Sequence, residues 1–206
     1  MKITNIRKHG LKAIAISAVA LIAFSLVFIV PTLYFRYSHQ GTVSVKSILP
    51  HTNSVTKAVP GAPLIAGWPV NIAIPSVDIN VGIVNGYYDV KTATWNVGLS
   101  VAQYVPLTTP PNNLSGDTYI YGHYRPAVFA YLHHIVPGSK ATVTTANGYS
   151  FTYKYINTYA TAPTDISVLS SYDGPPVLLV QTCSGSFFQN RQFYVFDYLS
   201  YQKLSA

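Results

Sequence analysis

Two β-prone runs near the C-terminal end, joined by a short polar loop, constrain the fold of this chain more than any other feature. Residues 176–183 read Pro-Val-Leu-Leu-Val-Gln-Thr-Cys, an apolar run rich in β-branched residues that stops at the only cysteine in the sequence. A small loop follows, and residues 191–199 resume as a second, aromatic run that opens on an arginine. The pattern predicts strand, loop, strand, with Cys183 where the first strand ends and Arg191 where the next begins. Most free cysteines are small buried apolar residues. A strand end flanked by Ser and Gly is seldom dry, however, and a guanidinium beside a thiol is an active-site arrangement, because a nearby cation favours the nucleophilic thiolate.

The N-terminus carries a membrane signal. Lys2, Arg7, Lys8 and Lys12 precede residues 13–30, which hold no charge, and the apolar character continues to residue 35 before Arg36. At about 1.5 Å per residue, a helix over residues 13–35 spans roughly 35 Å, enough to cross a hydrocarbon core of about 30 Å. A cleaved signal peptide has a shorter apolar region followed by a small-x-small site. Here Ala18-Val19-Ala20 lies inside the run and its end offers no such site. The reading is an uncleaved single-pass anchor, with the basic N-terminus cytoplasmic and everything after Arg36 outside the cell.

The anchor accounts for the charge. Residues 1–36 carry five basic and no acidic residues, so they supply +5 of the formal +7 and leave the rest of the chain nearly neutral. A nucleic-acid partner demands a concentrated basic face on the folded part, and none is visible. Residues 37–63, rich in Ser, Thr, Val and Pro without a sustained period, read as an extracellular tether. Residues 64–206 then form one domain with enough length to bury a core.

That domain reads as all-β. Residues 70–74 alternate and end at Pro75, residues 77–84 follow and close at Asn85-Gly86, and residues 118–121 stop at Gly122-His123. Residues 141–145, Ala146-Asn147-Gly148 and residues 149–158 give the clearest hairpin. Two short helices are expected, at 127–135 and at 166–170, the second capped by Thr164 or Asp165. Seven or eight strands with short turns and no internal repeat predict a barrel or sandwich.

A cysteine nucleophile needs a base or a cation close by. His123 is the best histidine: it follows a strand directly, and Gly122 before it permits an unusual backbone angle. Adjacent His133 and His134 cannot share a helical face, and no Cys or carboxylate stands at metal-ligand spacing from them, so both read as helix residues and no metal or other cofactor is expected. His9 and His51 fall in the tail and tether. One cysteine allows no intramolecular disulfide.

The basic N-terminus, the single span, the β-domain, a strand ending in Gly122-His123 and a later strand ending in Thr182-Cys183 before Arg191 together resemble the sortases, membrane-anchored cysteine transpeptidases of bacterial cell walls. The family's Thr-Leu-x-Thr-Cys motif is matched by Leu179-Val180-Gln181-Thr182-Cys183, which keeps the final Thr-Cys and replaces the first two residues. The resemblance covers most of residues 66–200 and implies a closed or nearly closed barrel of about eight strands. It implies that Cys183 attacks a Leu-Pro-x-Thr-Gly-like signal on a secreted protein, that His123 protonates the leaving amine and that Arg191 holds the oxyanion or substrate backbone. An amine of a cell-wall precursor or a pilin subunit then takes the acyl group. Thr182 is expected to hydrogen-bond the substrate or Arg191, or to be a plain β-branched strand residue. Phe187 and Phe188 are candidate walls of the signal groove, with core or loop packing as the alternative. No acidic cluster suggests the calcium site of some sortases, and no Asp-Pro-aromatic lid is present in the tether.

An L,D-transpeptidase also uses a cysteine in a β-rich wall enzyme, but its His-Gly-Cys-x-Arg signature is absent, since Thr182 precedes Cys183. The chain could also be a membrane-anchored cysteine protease without transfer, or a non-catalytic anchored β-domain in which Cys183 is incidental.

Overall fold

The structure is a computed structural model that describes residues 63–89, 91, 94–169 and 172–205. The expected membrane span and residues 37–62 of the expected tether lie outside the described residues. Ten strands are formed among those described: β1 (Pro69–Ile74), β2 (Ile79–Asn85), β3 (Tyr88–Asp89), β4 (Thr94–Trp95), β5 (Ala102–Tyr104), β6 (Asp117–Tyr121), β7 (Lys140–Thr145), β8 (Tyr149–Thr161), β9 (Val177–Ser184) and β10 (Asn190–Lys203). Eight of them close into a barrel in the order β1-β2-β5-β6-β9-β10-β8-β7, and β3 pairs with β4 separately. The strand pattern left barrel and sandwich open, and the observed architecture is the all-β closed barrel of eight strands, in agreement with the closed or nearly closed barrel of about eight strands that the resemblance implies. β2/β5 and β6/β9 are parallel pairs and the remaining barrel pairs are antiparallel.

Strand alternation sorts the apolar residues into two layers. Ile72, Ile74, Val81, Ile120, Val143, Phe151, Leu178, Val180 and Phe196 fill the barrel interior. Tyr119, Tyr121, Val177, Leu179, Phe193 and Val195 form a second cluster on the outer face of β6, β9 and β10, with Val105 and Val168 packed on it. Burial on both faces is why residues 177–180 read as a continuous apolar run rather than an alternating one.

The two expected helices are short 3₁₀ turns, at Ala130–His134 and Ser167–Leu169. The first has Phe129 at its N-terminus with no side-chain cap and ends within four residues of Gly138, too few residues to repay the nucleation of an α-helix. Of the two candidate caps for the second, Asp165 is the acceptor: the Ser167 N–H donates to its Oδ1 at 2.9 Å.

Candidate active site

β9 and β10 run antiparallel with Cys183 directly opposite Arg191 and Gln181 opposite Phe193. By alternation Cys183, Gln181 and Leu179 share one face of β9, and Arg191, Phe193 and Val195 share the same face of β10, the outer one that carries the second cluster. On its other side β9 runs parallel to β6, with Tyr119 beside Leu179 and Tyr121 beside Gln181. Both strands therefore deliver their next two residues, Gly122-His123 and Thr182-Cys183, at the same end of the barrel.

Backbone bonds hold that end together. The Gly122 N–H donates to the Gln181 carbonyl at 3.0 Å, and the Thr182 hydroxyl donates to the Gly122 carbonyl at 3.0 Å. The His123 carbonyl accepts from the N–H groups of Arg125 at 2.9 Å and Phe129 at 3.3 Å. Gly122 has no positive φ, so the expected unusual backbone angle is not its reason. Space is: a Cβ there would stand 2.7 Å from Val128 Cγ1 and 3.0 Å from Phe129 Cδ2. His123 is half-buried, as are Cys183 and Arg191.

The loop between β9 and β10 orients the guanidinium. Gly185 and Phe188 both adopt left-handed backbone angles, φ 86° and 55°, and the Phe188 N–H bonds the Gly185 carbonyl at 3.1 Å. For a non-glycine residue that conformation costs about 1–2 kcal/mol. It turns the Phe188 carbonyl toward Arg191, whose Nη1 donates to it at 3.2 Å and to the Asn190 carbonyl at 3.4 Å. The Phe188 ring lies 6.0 Å from that of Tyr124, whereas Phe187 is 88 % exposed.

Beneath Cys183 and Arg191 lies a buried aromatic and polar floor that the sequence alone does not reveal. The Tyr119 hydroxyl donates to Gln181 Oε1 at 3.1 Å, and Tyr159 stacks on Phe193 at 5.0 Å and 7°. Burial, then the neighbouring Tyr159 and Tyr121, push the Tyr119 phenol far above its ordinary value, and the Arg191 guanidinium, close enough to act on it, offsets part of that rise. At neutral pH the floor is a neutral donor and acceptor set. Beside it the Tyr121 hydroxyl meets the Asn96 carbonyl at 2.9 Å and Asn96 Oδ1 at 3.2 Å, while the Trp95 ring packs edge-on against Tyr121 at 5.8 Å. The β3–β4 segment is thereby fastened beside the strand that leads to His123. The period-2 placing of Tyr119 and Tyr121 is the available sequence signal, but it shows a shared face without showing what that face supports.

His133 and His134 lie in the 3₁₀ turn Ala130–His134, with ring centroids 3.7 Å apart. His133 Nδ1 contacts the Ala130 carbonyl and lies 3.4 Å from the Tyr124 hydroxyl. Among the described residues no group of three or more His, Cys, Asp or Glu side chains is arranged to hold a metal ion.

Residues 72–197 match the family model of the sortase domain. The chain belongs to the sortase family. Sortases are cysteine transpeptidases, and this chain is an enzyme of that kind. Its barrel is similar to sortase E1 from Streptomyces coelicolor, solved with a tripeptide in the active site, at 22% identity and a TM-score of 0.54 over 66% of this chain and 91% of that one. It is similar to sortase A of Listeria monocytogenes at 21% identity and a TM-score of 0.53, over 66% of this chain and 91% of that chain. Sortase C-3 of Streptococcus pneumoniae gives 20% identity and a TM-score of 0.56 over 69% and 68% of the two chains. These likenesses concern the fold and extend across three sortase classes. No curated protein matches the sequence.

Proposed function

We propose that this sortase cleaves a Leu-Pro-x-Thr-Gly-like sorting signal on a secreted protein and transfers the new carboxyl end to an amine of a cell-wall precursor or a pilin subunit. The observation that carries the reading is the register that sets Cys183 opposite Arg191, with His123 leaving the adjacent parallel strand at the same end. In this reading the Cys183 thiolate attacks the Thr carbonyl carbon, and the electron pair moves onto the carbonyl oxygen, where Arg191 and a backbone N–H stabilise it. The oxyanion collapses, the Thr–Gly C–N bond breaks, and His123 gives its proton to the departing amine. A thioester remains on Cys183. The acceptor amine then attacks the thioester carbonyl, loses a proton to His123 and expels the Cys183 thiolate, leaving a new amide.

The remaining parts of the proposal concern place. Residues 13–35 span the cell membrane with the N-terminus cytoplasmic, residues 37–63 tether the domain, and residues 64–206 carry out catalysis outside the cell. Anchoring of enzyme, substrate and acceptor to one surface raises their effective concentrations, an arrangement a plain protease does not need. The aromatic floor of Tyr119, Tyr159 and Phe193 favours the amine over water at the thioester by keeping the site poorly hydrated.

The test is mass analysis of products from a Leu-Pro-x-Thr-Gly-like peptide with the full-length protein, with and without a simple amine. Joining of the amine to the new carboxyl end supports transfer. Hydrolysis alone across a range of amines, wall-peptide side chains included, supports a membrane-anchored cysteine protease instead.

A further inference from the structure

Thr182 precedes Cys183, and strand alternation turns its side chain away from the face that Cys183 occupies. Leu178 and Val180 point into the barrel while Val177 and Leu179 belong to the outer cluster, so Thr182 continues the inner row. It is 1 % exposed. A side chain so placed does not meet a peptide lying across Cys183, and its hydroxyl donates inside the protein, to the Gly122 carbonyl at 3.0 Å. The N–H of Gly122 is held by the Gln181 carbonyl, also at 3.0 Å. Both backbone polar groups of the residue before His123 are thus gripped by the two residues before Cys183.

The grip falls where the pairing of β6 with β9 stops, while β9 goes on pairing with β10. The last paired residues of β6 and β9 are Tyr121 and Gln181, and beyond them the Thr182 hydroxyl acts as a side-chain rung. On its other side Gly122 packs against Val128 and Phe129, so the strand end is held between the rung and the loop that carries the 3₁₀ turn Ala130–His134. Valine would supply the same β-branched shape but no donor.

We infer that Thr182 is a positioning residue, whose bond to the Gly122 carbonyl sets the distance between His123 and Cys183. Proton transfer needs heavy atoms about 2.6–3.2 Å apart or one bridging water, and displacement by about 1 Å costs on the order of 10²-fold in rate. The inference rests on the proposed pairing of His123 with Cys183, and its test distinguishes the failure of one from the failure of the other.

Cys183 is the only cysteine in the full chain, so iodoacetamide alkylation of the detergent-solubilised full-length protein reads that thiol alone. Its rate is followed against pH with Thr, Ser, Val or Ala at position 182, each with and without His123→Ala. Thr/Val and Ser/Ala are two pairs that differ in the hydroxyl, so either pair suffices should one variant fail to fold. His123→Ala is expected to reshape the profile when residue 182 is Thr or Ser and to leave it unchanged when it is Val or Ala. With a peptide substrate, Thr182→Val is expected to lower kcat on the order of 10²-fold at unchanged KM, and Thr182→Ser to retain most of the rate. If His123→Ala reshapes the Thr182→Val profile as it does the wild-type one, or if Thr182→Val raises KM at unchanged kcat, the positioning role is overturned. If His123→Ala leaves the wild-type profile untouched, the pairing itself fails and the inference falls with it.

Discussion

Cys183 and Arg191 are direct cross-strand partners in β9 and β10, and the Arg191 guanidinium is tied through Nη1 to the carbonyls of Phe188 and Asn190. A planar fork held from behind by carbonyls leaves its other N–H groups to face a substrate oxygen. Arg191→Ala is expected to remove nearly all turnover with the fold intact. Arg191→Lys is expected to be severely impaired as well, because an ammonium cannot both keep the loop carbonyls and present two parallel donors. Peptide cleavage rates alongside circular dichroism check this, and near wild-type turnover in Arg191→Lys would exclude the two-donor role.

The three histidines among the described residues separate by position. His123 leaves the strand paired with β9, whereas His133 and His134 sit in the 3₁₀ turn that follows, with His133 occupied by the Ala130 carbonyl and Tyr124. His123→Ala is expected to lower kcat by about 10²- to 10⁴-fold, while His133→Ala and His134→Ala leave turnover close to wild type. Equal damage from His133→Ala in a folded protein would move the proton-transfer role to that residue.

Gly122→Ala tests the close approach rather than the chemistry. The added methyl meets Val128 Cγ1 at 2.7 Å and the Phe129 ring at 3.0 Å and 3.1 Å, so the loop behind His123 must shift. The expected cost is about 1–3 kcal/mol, seen as a lower midpoint in thermal or urea unfolding, together with reduced kcat. An unchanged midpoint would show that the loop yields freely.

Asp117 opens β6 at the end opposite His123 and is buried, which raises its carboxyl from the ordinary 3.8 to about 6. The phenols of Tyr104, Tyr159 and Tyr172 lie close enough to feel its charge. Below the unfolded value both states hold the proton. Between that value and about pH 6 the unfolded chain ionises first, the folded state binds more protons, and stability falls as pH rises; above about pH 6 the loss is complete. Asp117→Asn is expected to be more stable than wild type at neutral pH by roughly 1–3 kcal/mol, and the difference between the two unfolding free energies is expected to shrink as pH falls through about 6 and to vanish below 3.8. A pH-independent difference would contradict the buried-carboxyl account.

Alternation makes β1 and the β7–β8 hairpin legible in the sequence, because each has one face in the core and a clear turn. Cys183 and Arg191 are legible because the loop between them is short. β5 is not: its three residues Ala102, Gln103 and Tyr104 are all buried, so no period distinguishes it from any brief apolar stretch. The short helices are shorter than their apolar spacing suggests, because a 3₁₀ turn and the first turn of an α-helix share that spacing. The Tyr119–Gln181 floor joins residues 62 positions apart and exists only once β6 and β9 pair in parallel. The same pairing gives the Thr182 hydroxyl its partner on Gly122, which is neither of the two partners, substrate and Arg191, expected from the sequence.

In the proposed reaction Cys183 carries the acyl group between donor and acceptor. Intact mass analysis of the full-length protein mixed with a Leu-Pro-x-Thr-Gly-like peptide and quenched in acid tests it most directly. The expected result is an adduct of the mass of the peptide's N-terminal fragment less water, located on Cys183 by digestion, absent in Cys183→Ala and discharged on addition of an amine with that amine joined to the fragment. Peptide cleavage by Cys183→Ala at the wild-type rate, or an adduct on any other residue, would contradict it.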